Sequence, residues 1–253
     1  MEELLAEPLR RAFLGIGDFD WYWESHGHRT PIRSFTKWIK KMKSQLSENK
    51  INEEWSTEAP VGTDWSFLPE EVIQTLVPNF LAKRPPVGNL TVEDESEIED
   101  VILAQKGLTS DDNIWIRTAD EVPYEAFYQW LYLRGIKVKM RELKTLWNTA
   151  EVRELCQKLK TAIGRPRPFQ KFDFVKKSDF VNCDDPSFPS GHSCGAYYMA
   201  TILSKRWPHL EEGLFLLASK IAKSRVQAGV HYPSDIKAGE VIGKALAMKA
   251  MNY

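Results

Sequence analysis

Apolar residues along this chain recur at helical intervals, and nowhere do they alternate as a half-buried strand requires. Between residues 33 and 50, Phe35, Trp38, Ile39, Met42 and Leu46 form one stripe, with Lys37, Lys40, Lys41 and Lys43 on the other sides. The stripe predicts an amphipathic surface helix with a solvated lysine face. Binding a membrane surface or a partner is the rarer use of such a face. Further helices are expected at about 69–83 and 92–106, the second opening on Glu93, Asp94 and Glu95, which suit the positive end of a helix dipole. Lys83-Arg84-Pro85-Pro86-Val87-Gly88 lies between them and reads as a loop or hinge, because consecutive prolines cannot continue a helix.

The aromatic-rich stretch 124–135 and the Leu- and Trp-bearing stretch 139–163 read as core helices, and their aromatics as packing. After an irregular segment at about 171–185, helices are expected at 192–206, 210–227 and 234–251. The fold class is therefore all-α, a single helical-bundle domain. Residues 1–90 read as a helical extension joined in one compact unit to a core at 91–253.

Charge changes this picture little. Thirty-four basic against 35 acidic side chains leave the surface nearly neutral, so composition argues against a nucleic-acid partner. The acidic start lacks the pattern of an export signal, and no apolar run approaches the roughly 20 residues that span a bilayer. A soluble, cytoplasmic protein without membrane insertion is expected; assembly into a homo-oligomer is left open. Cys156, Cys183 and Cys194 form no Cys-x-x-Cys pair, which indicates neither a disulfide framework nor a zinc site.

Three blocks carry candidate chemistry. In the first, Lys160-Thr161-Ala162-Ile163-Gly164-Arg165-Pro166-Arg167-Pro168, Lys160 falls in a last helical turn, Gly164 stops the helix, and the Arg-Pro pairs project Arg167 from a stiff segment. In the second, Pro189-Ser190-Gly191-His192, a helix begins. The backbone N–H groups of Ser190 and Gly191 are thereby offered to an anion, with glycine allowing close approach. In the third, Ser224-Arg225 precedes His231 and Asp235. Pro233 suits the first helical position, so His231 sits just outside the helix and Asp235 points back to fix its tautomer. His26, His28 and His209 read as ordinary surface or core histidines.

The pattern Lys-x6-Arg-Pro, Pro-Ser-Gly-His, Ser-Arg-x5-His-x3-Asp resembles the signature of the phosphatidic acid phosphatase type 2 superfamily. That superfamily includes lipid phosphatases, bacterial class A nonspecific acid phosphatases and vanadium haloperoxidases. The soluble acid phosphatases are the most similar branch, although they are exported and this chain shows no export signal. Lys158 with Arg165-Pro166 has the same spacing as Lys160 with Arg167-Pro168. The second pair is preferred, because the family often runs Lys-x3-Gly-Arg-x-Arg-Pro through this point.

The resemblance implies a metal-independent phosphomonoester hydrolase that needs no cofactor. Neutral His231 attacks phosphorus and becomes a phosphohistidine, Asp235 orients it, and protonated His192 serves the leaving group and then water. Lys160, Arg167, Ser190, Gly191 and Arg225 hold the phosphoryl oxygens. One neutral and one charged histidine imply an activity maximum near or below about pH 6.5. The expected partner is a small phosphorylated substrate, a nucleotide among the candidates. A vanadate-dependent haloperoxidase and a phospho-ligand binding module are the alternative readings.

Overall fold

The structure is a computed structural model that describes residues 92–251 and Glu70. The helix expected at 33–50, the Pro85-Pro86 hinge, His26 and His28 lie outside the described residues, as does all but Glu70 of the helix expected at 69–83. Among the described residues every regular element is helical.

In chain order the elements are α1 (Val92–Gln105), α2 (Ser110–Glu121), α3 (Pro123–Tyr132), α4 (Met140–Trp147), α5 (Ala150–Ile163), the short α6 (Pro168–Lys171) and α7 (Gly191–Arg206). A 3-10 turn at Pro208–Leu210 leads into α8 (Glu211–Gln227), and α9 (Pro233–Met251) closes the described chain.

Helix α7 is the axis. It buries ten of its sixteen residues, from Ser193 through Leu203, so it presents apolar surface in several directions at once. Tyr197, Met199, Ala200 and Leu203 pack into a cluster with Trp115 of α2, Phe127 and Trp130 of α3, and Leu214, Leu217 and Ile221 of α8. Cys194 and Tyr198, on another side of α7, pack with Val152, Leu155 and Leu159 of α5 and Ile242 and Leu246 of α9. Two glycines one helical turn apart bring α9 against α7. A Cβ on Gly239 would lie 2.7 Å from Ser190 O, and one on Gly243 would lie 2.3 Å from Cys194 O. The two backbones therefore touch, and the N-terminal ends of both helices are held side by side.

The stretch 139–163 was expected to be continuous and is instead α4 and α5, broken at Asn148-Thr149. Asn148 Nδ2 donates to Lys144 O at 2.8 Å and Thr149 Oγ1 donates to Leu146 O at 2.7 Å. Lys144 O keeps its helical amide partner, Asn148 N, at 3.1 Å, whereas Leu146 O, which a continuing helix would give to the amide of Ala150, is taken by Thr149. The break sends Leu143 and Val152 into different clusters.

Helix α2 was not anticipated. Thr109 opens it with a reciprocal capping box: Asp112 N donates to Thr109 Oγ1 at 3.2 Å, and Thr109 N donates to Asp112 Oδ2 at 2.8 Å. At the other end of the core, α5 stops at Gly164, whose φ of 61° is left-handed, as its sequence predicts.

Candidate active site

The ends of five helices meet around His231. Lys160 lies in the last turn of α5, Arg225 in the last turn of α8 and Asp120 near the end of α2, while His192 and Asp235 lie in the first turns of α7 and α9. Cations at helix C-termini and an anion at an N-terminus complement the local dipoles.

The structure places the two lysines of the first block differently. Lys160 is buried and Lys158 is exposed, as two positions about 200° apart on a helix require. Lys160 Nζ donates to Pro186 O and pairs with Asp185 Oδ2 at 3.0 Å. Burial and the neighbouring Arg167 pull its pKa below the usual lysine range, with Asp185 opposing them.

Arg167 is also buried, and the whole guanidinium is fixed. Nε donates to Asp185 O at 2.8 Å, Nη2 to Asp185 Oδ1 at 2.7 Å and Nη1 to Val230 O at 2.8 Å. Nη1 also lies 3.2 Å from His231 Nε2. Arginine has no acceptor, so Nε2 must present its lone pair and the imidazole proton must sit on Nδ1. Nδ1 faces Asp235 Oδ2 at 3.3 Å, an oxygen that also accepts from Tyr232 N at 2.9 Å. Burial pushes the Asp235 carboxyl up, but Arg165, His231 and Tyr232 more than offset it and hold it well below the carboxylate range. Burial lowers His231 well below its ordinary value, against the favourable hydrogen bond it donates to Asp235. The resting pair is neutral imidazole and carboxylate.

Arg165, the alternative partner in the first block, faces away from this lone pair. It donates to Asp235 Oδ1 and Ser234 Oγ, and pairs with Glu97 Oε2 at 2.8 Å.

Arg225 is 2% exposed and donates from Nη2 to Asp120 Oδ1 at 2.8 Å. Its Nε and Nη1 are buried with no partner among the described residues. Leaving donors of a buried cation unmet costs about 1–3 kcal/mol or more, so their arrangement suits an anionic ligand.

His192 sits against the Trp147 ring, with centroids 5.9 Å apart. Its Nε2 lies 3.1 Å from Asp120 O, and a carbonyl only accepts, so Nε2 carries the proton. Although 29% of the side chain is exposed, burial and then the Arg225 charge push its pKa down to about 3. Burial, and then the Arg225 charge, thus favour the neutral imidazole, and the protonated form expected for transfer to the leaving group is one that an anion beside these cations would favour.

Ser190 also departs from expectation. Its amide donates to Asp235 O at 3.0 Å, and its Oγ accepts from Ser193 N. As the N-cap it stands outside the group of free amides at the helix start, which begins with Gly191 and His192. A Cβ built on Gly191 meets nothing within 4 Å, so the backbone there borders open space.

Two carboxylates at the site were not found from spacing. Asp185 spans Lys160 and Arg167, and Asp120 spans Arg225 and His192. The Thr109-x-x-Asp112 box was the available signal for α2, and with it Asp120, whose partner lies 105 residues away. The cysteines are free; Cys156 and Cys194 are buried and Cys183 is half-buried.

Residues 144–253 match the PAP2 superfamily. The chain carries a PAP2 superfamily domain. The PAP2 segment holds every residue of the three blocks, whereas Asp120 and Glu97 precede it. A lipid A 1-phosphatase of Rhizobium etli is 38% identical over 96 residues, covering 35% of this chain and 40% of that protein. A non-specific acid phosphatase of Salmonella typhi is 36% identical over 82 residues, covering 31% of this chain and 33% of that protein. The chain thus matches less than half the length of these curated relatives. The crystal structure of Aquifex aeolicus LpxE superposes with a TM-score of 0.51 and 24% identity, covering 65% of this chain and 100% of that one, which shows a shared all-α fold. No helix among the described residues is long and apolar enough to cross a membrane.

Proposed function

We propose that this protein is a metal-independent phosphatase that hydrolyses phosphate monoesters through a phosphohistidine at His231. The observation that carries the reading is the His231 imidazole, buried with Nδ1 toward Asp235 and its Nε2 lone pair beside Arg167. Such an imidazole is a nucleophile set among cations, and phosphoryl transfer asks a protein mainly for positioning and charge stabilisation.

In the mechanism, Lys160, Arg167 and Arg225 take the phosphoryl oxygens, joined by the amides of Gly191 and His192. Nε2 attacks in line and the bond to the leaving oxygen breaks. Binding of a phosphate dianion offsets the cations that depress His192, which takes up a proton and passes it to the leaving alkoxide. His192, neutral again, then accepts a proton from water, whose oxygen attacks phosphorus and frees His231.

The relatives divide the substrate question, one pair being named for lipid A and another protein as non-specific. The proposal takes a small soluble phosphate ester met in the cytoplasm, nucleotides included. The test is phosphate release by purified protein in EDTA from a panel of nucleotides, sugar phosphates and detergent-dispersed lipid A, with acid-labile labelling of His231 as the second readout. Release from lipid A alone would overturn the substrate class and keep the chemistry. Activity dependent on added metal, or on vanadate with peroxide and halide, would overturn the chemistry. Binding of phosphate esters without single-turnover release would leave a binding module.

A further inference from the structure

We propose that Glu97 is a positioning residue for the His231–Asp235 couple, acting through Arg165. Glu97 stands on α1, outside the PAP2 segment, yet its carboxylate is directed at the base of α9. Oε1 accepts from Ser234 N, and Oε2 accepts from Ser234 Oγ at 2.8 Å while pairing with Arg165 Nη2 at 2.8 Å. The Ser234 hydroxyl spends its one proton on Glu97 and so accepts from Arg165 Nη1, also at 2.8 Å. The same Nη1 donates to Asp235 Oδ1. The Arg165 Cζ lies 3.8 Å from the centroid of the Tyr232 ring.

The two oxygens of Asp235 are therefore divided, Oδ1 toward Arg165 and Oδ2 toward His231 and Tyr232 N. Charges alternate along the line from Glu97 to Arg165 to Asp235, and the imidazole ends it. Arg165 and Asp235 are almost wholly buried and Glu97 is 16% exposed, so water screens these contacts weakly.

The arrangement has two effects. Glu97 pins the turn from which Asp235 projects, by meeting both polar groups of Ser234. It also takes part of the Arg165 charge, which would otherwise fall wholly on Asp235 and weaken its hold on the Nδ1 proton. Outer partners of this kind orient a reactive imidazole and raise its basicity. Lys160 and Arg167 face the same imidazole from α5 and the segment before α6, and the test leaves both unchanged.

This inference rests on the proposed phosphatase reading only for its kinetic arm. The full chain, Glu97→Gln and Glu97→Asp are compared by nitrogen NMR of the histidine rings and by kcat/KM against pH. Glu97→Gln keeps the size and one acceptor but loses the charge. The expected result is a shifted His231 Nδ1–H signal as its bond to Asp235 weakens, with the tautomer kept by Arg167, a kcat lower by about tenfold with KM within about twofold, and an acid limb moved about half a unit downward. Glu97→Asp should recover part of each. In an Arg165→Gln background, Glu97→Gln should add only the smaller effect of its bonds to Ser234, because the charge route through Arg165 is gone.

A lower melting temperature with an unchanged His231 Nδ1–H signal and pH profile would mean that Glu97 merely fastens α1, and would overturn the proposal. Should the unaltered chain release no phosphate, the phosphatase reading fails on that control and the NMR comparison alone decides the role of Glu97.

Discussion

At His231, a guanidinium that cannot accept a hydrogen bond lies 3.2 Å from Nε2, and a carboxylate that cannot donate one faces Nδ1 at 3.3 Å. The tautomer follows from donor and acceptor identity alone, and it is the one a nucleophilic Nε2 requires. Arg167 serves this imidazole with a fork already fixed by Asp185 and Val230. Arg167→Ala should reduce kcat/KM by about 10²–10³-fold, the loss typical of a fixed oxyanion donor. Arg167→Lys should restore little, since one ammonium cannot meet four positioned acceptors. Lys158→Ala, on the exposed face of α5, should leave kcat/KM within about twofold; a larger loss would reopen the choice between Lys158 and Lys160. His192→Ala should cost more with alkyl phosphates than with nitrophenyl phosphate, whose leaving group needs no proton. Equal losses with both substrates would remove the acid role.

Among elements, the approach of α9 to α7 decides whether the Asp235 and His192 ends lie together. Gly243→Ala places a methyl 2.3 Å from Cys194 O and 2.9 Å from Tyr198 N, both backbone atoms that cannot turn aside. The substitution should lower stability by about 1–3 kcal/mol, read from denaturant midpoints, with activity falling in step as the helix ends part. Gly191→Ala meets no protein atom and should leave the midpoint unchanged while weakening phosphate binding. The helices that carry the three blocks were legible because apolar spacing, a glycine stop and a proline start agree there, as at Gly164 and Pro233. Helix α2 was not, since Asp111, Asp112 and Asn113 have loop-like composition and only the reciprocal bonds of Thr109 show a cap. The Asn148-Thr149 break was hidden for the converse reason: apolar spacing continues through it, and only the local bond from Thr149 Oγ1 to Leu146 O marks the end of α4. Asp185 and Asp120 could not be read from spacing, because a lone carboxylate has meaning only beside cations that the fold delivers.

Across the whole molecule, burying two neutral histidines among cations couples folding to pH. The folded-state pKa of His192 is pushed down to about 3 by burial and Arg225, and that of His231 is lowered well below 6.5 by burial. In the unfolded chain both titrate near about 6.5. Below that pH the unfolded state binds protons that the folded state refuses, so stability present above about pH 6.5 is lost as pH falls toward the folded values. The slope reaches about 1.4 kcal/mol per pH unit for each histidine. Asp235 is depressed instead from 3.8, so its share is lost only at lower pH and does not confuse the window.

An anion in the site reverses the sign for His192, because added negative charge lets the imidazole protonate in the folded state. Sulfate keeps a constant charge between about pH 7.5 and about pH 5.5, so any change in its effect over that range belongs to the protein. Its increment in melting temperature should grow as pH falls through this window, and binding should take up protons in calorimetry run in buffers of differing ionisation enthalpy. In His192→Asn the growth and the uptake should both vanish while sulfate still binds through Lys160, Arg167 and Arg225. A sulfate increment that does not change with pH in the unaltered chain would mean that His192 stays neutral with the site filled, and the leaving group would then need another source for its proton.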